Sequence, residues 1–509
     1  MKSFYARINP SGKTLNFSSE TLLIDLIYDA GLGVTSPCGG KGTCGKCSVK
    51  ASGMLSEKTE KEKEFLSDEN MRLACQAKAA GDIEITLDDT SPVLEKFHIK
   101  IDSDSDFGAA VDIGTTAVKM SLVNLKTKIS YNLASYLNPQ RRFGHDVISR
   151  ISASSDENAF ISMTSLIRTS IENGIYSALK EFNIGPEKLK KIAVSANTVM
   201  TYLCHGKKIS SLGIFPYETS QKEFPPVKAG SLGFKIFQDA DILTLPLVSA
   251  YIGGDLVSGA AFTEKQGLPG NVFFTDLGTN GEIFLKVKDR IFAASCAMGP
   301  ALEGMNISCG MTAEDGAITH AELKNGKFIF SCIGDAEPVG ISGTGLIDAI
   351  SLLINYGLIA RNGSFNKKSD PPEGVVFDKE NMRIYLTEKV YITQKDIRNI
   401  QLAKGAVLAA SEILLQEAGI KSDEINHTAI AGSFGDNLDI DNFRNLKFLP
   451  DFKNSEYSFL GNTSLESAQI ACFDEAYFNR AVEISKKIEY IELSNHKSFN
   501  DIFMGSIDF

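Results

Sequence analysis

Four cysteines in the first part of the chain carry its most legible chemistry. Cys38, Cys44 and Cys47 lie in PCGGKGTCGKCSVK with the spacing C-x5-C-x2-C, and Cys75 follows in MRLACQAKAAGDIEI. Three thiolates on one loop and a fourth from a distant segment can close on one metal centre, since the thiolate is the ligating form. Gly39, Gly40, Gly42 and Gly45 let the loop curl and bring backbone N–H groups against the ligated sulfurs. Such donors favour the extra negative charge of a reduced centre and tune its potential. A structural zinc site usually takes two C-x2-C knuckles, whereas Cys75 stands alone. Cys204, Cys296, Cys309, Cys332 and Cys472 have no ligand spacing, and all five are expected to pack as small apolar side chains.

A second chemistry appears twice. FGAAVDIGTTAVKMSLVNL reads as strand, turn at Asp112–Thr116, strand, and VFFTDLGTNGEIFLKV repeats the plan at Asp276–Gly281. The paired D-x-G-T-[TN] turns amount to an internal duplication. In the first, Gly114, Thr115 and Thr116 allow backbone N–H groups to face an anion; in the second, Gly278, Thr279 and Asn280 do the same. Asp112 and Asp276 sit at strand ends, where a carboxylate can hold Mg²⁺ through water.

The elements that must position these groups are readable in outline. KSFYARINP and TLNFSS read as strands joined by the turn Pro10–Ser11–Gly12. SETLLIDLIYDAG reads as a helix with Ser19 as N-cap and Gly31 past its end, and GDIEITL as a last strand. LDDTSPVLEKFHIKIDSDSD is polar, Asp-rich and broken by a proline, as a linker is. A chain of 509 residues predicts about two to four domains. Its 43% apolar and 23% charged residues are those of a globular protein. A formal charge of −11 argues against general nucleic-acid binding. No apolar run approaches the roughly eighteen residues of a membrane span, and the N-terminus shows no secretory h-region, so a cytoplasmic protein is expected. In that reducing compartment clustered cysteines point to metal or redox chemistry.

The cysteine spacing and its flanking elements resemble the β-grasp [2Fe–2S] ferredoxins over about residues 1–90; the first gap is nearer the adrenodoxin-type pattern. The paired turns resemble the phosphate hairpins of the actin, sugar kinase and Hsp70 superfamily, whose two lobes clamp ATP between them. That resemblance implies an adenosine motif, which HTAIAGSFGDNLD fits with Gly432, Ser433 and Gly435. It further implies that Gln401 and Lys404, sharing a face at i, i+3 on the periodic helix of ITQKDIRNIQLAKGAVLAASEILLQEAG, contact the nucleotide; a solvated stripe is the alternative. VGISGTGLIDAISLLINYG places Gly343 and Gly345 before an apolar helix, suited to a phosphate or ribose contact or to tight strand–helix packing. Asp255 in AYIGGDLVSGAA stands where Hsp70-like enzymes keep a water-orienting acid, as γ-phosphoryl hydrolysis requires; a helix cap is the alternative.

The pairing of these two parts resembles the reductive activators of corrinoid proteins. Further stretches carry the likeness: NPQRRFGHDVISRI, CAMGPALEGMNISCGMTAEDGAI, GISGTGLIDAI and IAGSFGDNLD. The implied organisation is a ferredoxin-like α+β domain (1–90), a linker (91–107) and a duplicated α/β ATPase of ribonuclease H-like lobes (108–265 and 266–509). The implied activity is ATP-dependent transfer of one electron from a [2Fe–2S] cluster to Co(II), regenerating Co(I). The cluster would rest on Cys38, Cys44, Cys47 and Cys75, with ATP and Mg²⁺ on the turns and Asp112, Asp255 and Asp276 as catalytic acids. The implied partners are a corrinoid protein of a methyltransferase system, an upstream low-potential donor and a second copy of the chain. Two departures stand out: Ala196 replaces the glycine that relatives usually carry before Asn197–Thr198, and no C-terminal cysteine-rich ferredoxin segment is present. Competing readings are an activator of 2-hydroxyacyl-CoA dehydratases, with a [4Fe–4S] cluster on ATPase-domain cysteines, a non-hydrolysing ATP-binding redox sensor, and a small-molecule kinase. Arg141 and Arg142 are expected to be a solvated pair, and SFNDIFMGSIDF to dock on the body.

Overall fold

The computed structural model describes the chain apart from residues 1–3, 10–11, 19, 31–33, 35–46, 67, 88–103, 134, 279, 305, 312–314 and 433–437. Cys38, Cys44, Thr279, Ser433 and Gly435, together with the helix-capping Ser19 and Gly31, therefore lie outside the described residues. The chain forms two compact units, Met1–Leu245 with Ala468–Glu475, and Pro246–Ser467 with Ala476–Phe509.

The first unit begins with a mixed sheet. Strand Phe4–Asn9 pairs antiparallel with Lys13–Phe17 and parallel with Lys78–Thr86, which pairs onward with Ser48–Leu55. A hairpin whose first strand runs parallel to the last is the β-grasp arrangement, and alternation drives it: Ala6 and Ile8 are fully buried while their neighbours face outward. The expected helix is shorter than its sequence signal, running Leu23–Asp29 after a two-residue strand, Thr21–Leu22, on Lys78–Thr86. Thr21 is β-branched, and pairing with Ala79 outweighs its weak helix preference. Leu23 and Ile27, one turn apart, are fully buried beneath the sheet, each contributing about 1.5–3 kcal/mol.

The rest of the first unit is built on the hairpin Phe107–Ile113 and Ala117–Asn124, whose register sets Asp112 opposite Lys119. Strand Leu189–Ala196 runs parallel to its first strand, and Asp241–Thr244 continues the sheet. The second unit repeats the plan. Hairpin Val272–Leu277 and Gly281–Val287 lies antiparallel, and His427–Ala431 runs parallel to its first strand. Phe274 and Phe284 are direct partners in that register and their rings stack at 4.7 Å, which pins it. Two matching hairpins, each flanked by a parallel strand, are the expected duplication in three dimensions.

Helices cover the second sheet. Gly254–Gln266 packs on both hairpin strands. Gln394–Ala418 starts at a capping box, Thr393 with Asp396, and stops at Gly419 in the left-handed region. The segment Phe499–Gly505 forms a helix that packs on Gln394–Ala418 and carries Phe509 into a fully enclosed position, so the apolar tail docks as its composition predicts. Among the described residues no helix is long and apolar enough to cross a membrane.

Candidate functional site

The β-grasp sheet brings Cys47 and Cys75 together. Both are buried, and their Sγ atoms stand 3.2 Å apart. That is far beyond the ~2.05 Å of a disulfide. It approaches the roughly 3.8 Å spanned by two thiolates bonded at ~2.3 Å to one tetrahedral metal. The pair fits a shared metal atom; Cys38 and Cys44, the other two expected ligands, lie outside the described residues. Local bonds hold the geometry: the Ala74 N–H donates to the Cys47 carbonyl at 2.9 Å, and Gln76 Nε2 reaches Cys75 Sγ at 3.5 Å. Two residues that sequence reading passed over anchor the approach to Cys75. Glu62 is fully buried and receives Arg72 Nε at 2.8 Å, Arg72 Nη2 at 3.2 Å and the Leu73 N–H at 3.1 Å. Burial pushes the Glu62 carboxyl up, but the Arg72, Thr59 and Leu73 donors outweigh it and hold it below its ordinary range. The signal was present in TEKE, a capping box in which Thr59 and Glu62 exchange bonds.

The first turn is held from behind. Asn138 donates its backbone N–H to the Thr116 carbonyl at 2.9 Å and its Nδ2 to the Gly114 carbonyl at 2.8 Å. Arg150 Nη2 donates to the Thr115 carbonyl at 2.5 Å, and Asn197 Nδ2 to Thr115 Oγ1 at 3.0 Å. Asn197 also caps the helix Thr198–His205 through the Met200 N–H. Thus Asn197 supports the turn even though alanine precedes it. Arg141 is 4% exposed, which corrects the expected solvated pair; only Arg142 reaches solvent. A short helix, Pro139–Phe143, turns Arg141 inward, with Nη2 3.5 Å from His145 Nδ1. Burial, then Arg141 and Arg150, push the His145 imidazole down to about 4, so it is neutral at pH 7.

The second turn gathers acids. Asp276 and Glu282 are cross-strand partners on one face of the hairpin, and Asp255 enters from the first turn of Gly254–Gln266. The helix cap is Gly253, so the capping alternative for Asp255 is not realised; Asp255 Oδ1 accepts the Leu256 N–H at 2.9 Å. Glu282, missed in the sequence, is buried. Its carboxyl is pushed well above the ordinary range by burial first and then by Asp255 and Asp276, against a lowering bond from Asn280. The Gly278 N–H donates to the Asn280 carbonyl at 3.2 Å, closing the turn. Gly432 ends the neighbouring strand at φ 103°, and an added Cβ would come 2.9 Å from Asp276 Oδ1. Only glycine lets the chain leave the strand that close to the turn's acid.

Gly343 and Gly345 open the helix Gly343–Tyr356, where Ser342 Oγ accepts the Gly345 N–H and a Cβ on Gly345 would meet the Ile318 carbonyl at 2.3 Å. At Gly345 strand and helix pack that tightly. Gln401 and Lys404 are fully buried, so the solvated stripe is not present. Lys404 Nζ donates to the Asp508 carbonyl at 2.6 Å and lies 5.9 Å from the Phe509 ring, beneath the docked tail. Arg398 donates to Gln401 Oε1. Cys204, Cys296 and Cys472 are core residues as expected, and Cys309 and Cys332 are half-buried side chains packed against the core of the second unit.

Comparison with known proteins follows the same division. Residues 6–80 match the 2Fe-2S iron-sulfur cluster binding domain, residues 107–266 the RACo middle region, and residues 270–509 the C-terminal domain of RACo, the ASKHA domain. The chain is 30% identical over 416 residues to the corrinoid activation enzyme RamQ of Eubacterium limosum, covering 78% of this chain and 69% of that protein. It is 26% identical over 439 residues to the [Co(II) methylated amine-specific corrinoid protein] reductase of Methanosarcina barkeri, covering 79% and 77%. A solved structure titled reductive activator for corrinoid,iron-sulfur protein superposes with a TM-score of 0.72 at 25% identity, covering 99% of this chain and 98% of that one.

Proposed function

Because the chain belongs to the family of reductive activators of corrinoid proteins, we propose that it passes one electron to the Co(II) centre of a partner corrinoid protein and so regenerates Co(I), driven by ATP. One observation carries this reading: a single polypeptide joins the buried Cys47–Cys75 pair of a β-grasp sheet to two D-x-G-T hairpins on duplicated lobes. The electron enters from an upstream low-potential donor and ends on cobalt, Co(II) + e⁻ → Co(I). When bound, a [2Fe–2S] cluster supplies one-electron chemistry, which in plant-type ferredoxins lies near −400 mV.

The chain's residues divide the remaining work. Cys38, Cys44, Cys47 and Cys75 hold the cluster. Gly114, Thr115 and Thr116, with Gly278, Thr279 and Asn280, present amides and hydroxyls to the phosphates of ATP. Asp112 and Asp276 hold hydrated Mg²⁺, and Asp255 orients the attacking water. Gly432, Ser433 and Gly435 lie along the adenosine. Mg²⁺ generally keeps several waters and takes one or two carboxylates plus substrate phosphates, which suits acids set beside a phosphate turn. Each tenfold shift of a one-electron equilibrium needs about 59 mV. ATP supplies it only through differential affinity, binding the corrinoid-docked state more tightly than the free one. The working form is a homodimer in the cytoplasm.

The test mixes protein, reductant, ATP·Mg²⁺ and a Co(II)-corrinoid protein, and follows the Co(I) absorption band. Co(I) is expected only with ATP and an intact cluster. Equal reduction without ATP, or none in the complete mixture, would remove the reading.

A further inference from the structure

The stretch NPQRRFGHDVISR, residues 138–150, lies outside the machinery above, yet its side chains are among the most enclosed in the first unit. Asn138 and Arg150 are both fully buried. Three successive carbonyls of the phosphate turn accept bonds from them: Gly114 from Asn138 Nδ2, Thr115 from Arg150 Nη2, and Thr116 from the Asn138 N–H. In a trans peptide the C=O of one residue and the N–H of the next point in opposite directions. With the carbonyls of Gly114 and Thr115 drawn to one side, the N–H groups of Thr115 and Thr116 are turned to the other.

We propose that Arg150 is a positioning residue for the first phosphate turn. Together with Asn138 it fixes the turn's carbonyls from behind, so that the amides of Thr115 and Thr116 meet the phosphates of ATP already oriented. This rests on the reading of the turn as an ATP site. The chemistry calls for arginine. A buried charge is costly unless each of its donors is engaged. The planar fork manages this here, with Nε on the Gly144 carbonyl at 3.0 Å, Nη2 on Thr115 and Nη1 3.0 Å from the Met200 sulfur. Lysine gathers its donors on one nitrogen and cannot reproduce the three separate nitrogens of the fork. A fixed positive charge behind the turn also favours an anion in front of it, in a region where low dielectric strengthens the effect. Preorientation lowers the ordering cost of binding.

The experiment compares wild type with Arg150→Gln, Arg150→Lys and Asn138→Ala. It reads ATP affinity by calorimetry, hydrogen exchange of the 112–117 amides, the melting point without nucleotide, and the cluster's EPR signal. The expected result is an ATP Kd at least tenfold weaker in Arg150→Gln and Asn138→Ala, with faster exchange confined to residues 112–117 and an unchanged cluster signal. Arg150→Lys should fall between them and wild type. Should Arg150→Gln not fold, Arg150→Lys and Asn138→Ala carry the test, since both keep the buried positive charge. ATP bound by wild type and by folded variants within twofold would overturn the positioning role and leave the ATP reading intact. A wild-type protein that binds no ATP at all would overturn the reading, and the positioning role with it.

Discussion

Asp276 and Glu282 stand directly opposite each other across the hairpin of the second turn, on one face of an antiparallel pair. Opposed residues of such a pair bring their side chains within contact range. Two carboxylates so placed, one of them buried, disfavour each other's charged form. Burial first, then the neighbouring Asp255 and Asp276, push the Glu282 carboxyl well above its ordinary range, which favours its neutral form.

Glu282→Gln should therefore be nearly silent. An amide copies the shape and polarity of a neutral carboxyl, so ATP affinity is expected within about threefold of wild type and the melting point nearly unchanged. Glu282→Ala removes buried atoms and should cost about 2–3 kcal/mol in urea unfolding. Strong loss of ATP binding in the glutamine variant would show that Glu282 works as an anion.

Asp276→Asn keeps size but removes the charge. ATP turnover is expected to drop at least a hundredfold while the cluster's visible spectrum stays as in wild type. Turnover assays beside absorption spectra decide it, and an active asparagine variant would withdraw the catalytic role.

Cys75→Ser should abolish the cluster's EPR signal and electron delivery, because oxygen replaces one member of the 3.2 Å thiol pair, and should leave ATP binding unchanged. Cys44→Ser is expected to behave alike. An intact signal in either variant removes that residue from the ligand set.

Glu62→Gln leaves the Arg72 guanidinium buried without its counter-charge, and the loss of one partner of such a pair costs about 3–5 kcal/mol. Because the strand Met71–Leu73 leads into Cys75, faster iron loss to a chelator should accompany it. The sign with pH is fixed as well: the folded carboxyl lies below its unfolded value, so its contribution is present above the unfolded pKa and fades as pH falls through the folded one. Acid unfolding of wild type and variant should converge at low pH.

Lys404 gives the opposite titration. Burial, then Lys447, push its amine down to about 8, with Asp508 opposing. Between that value and the ordinary lysine range near 10.4 the unfolded chain binds more protons than the folded one, so stability rises with pH across that window. Relative to Lys404→Met, wild type should gain up to about 3 kcal/mol between pH 7.5 and 10 in denaturant unfolding. A flat difference would mean that the amine is solvated and the tail undocked.

Local patterns in the chain were enough for the cysteine spacing, the two turns, the β-grasp strands and the capped helices, because each depends on neighbours within a few residues and on periods of two or 3.6. Tertiary structure alone decided what those elements meet. Arg150 turns inward because the carbonyl it serves belongs to a turn more than thirty residues earlier in the chain, and Arg141 lies inward beside His145. Glu282 became part of the acid group through strand register, and Lys404 left the surface when the tail folded over it. Burial and pairing between distant segments depend on how sheets and helices stack, and no local spacing encodes that stacking.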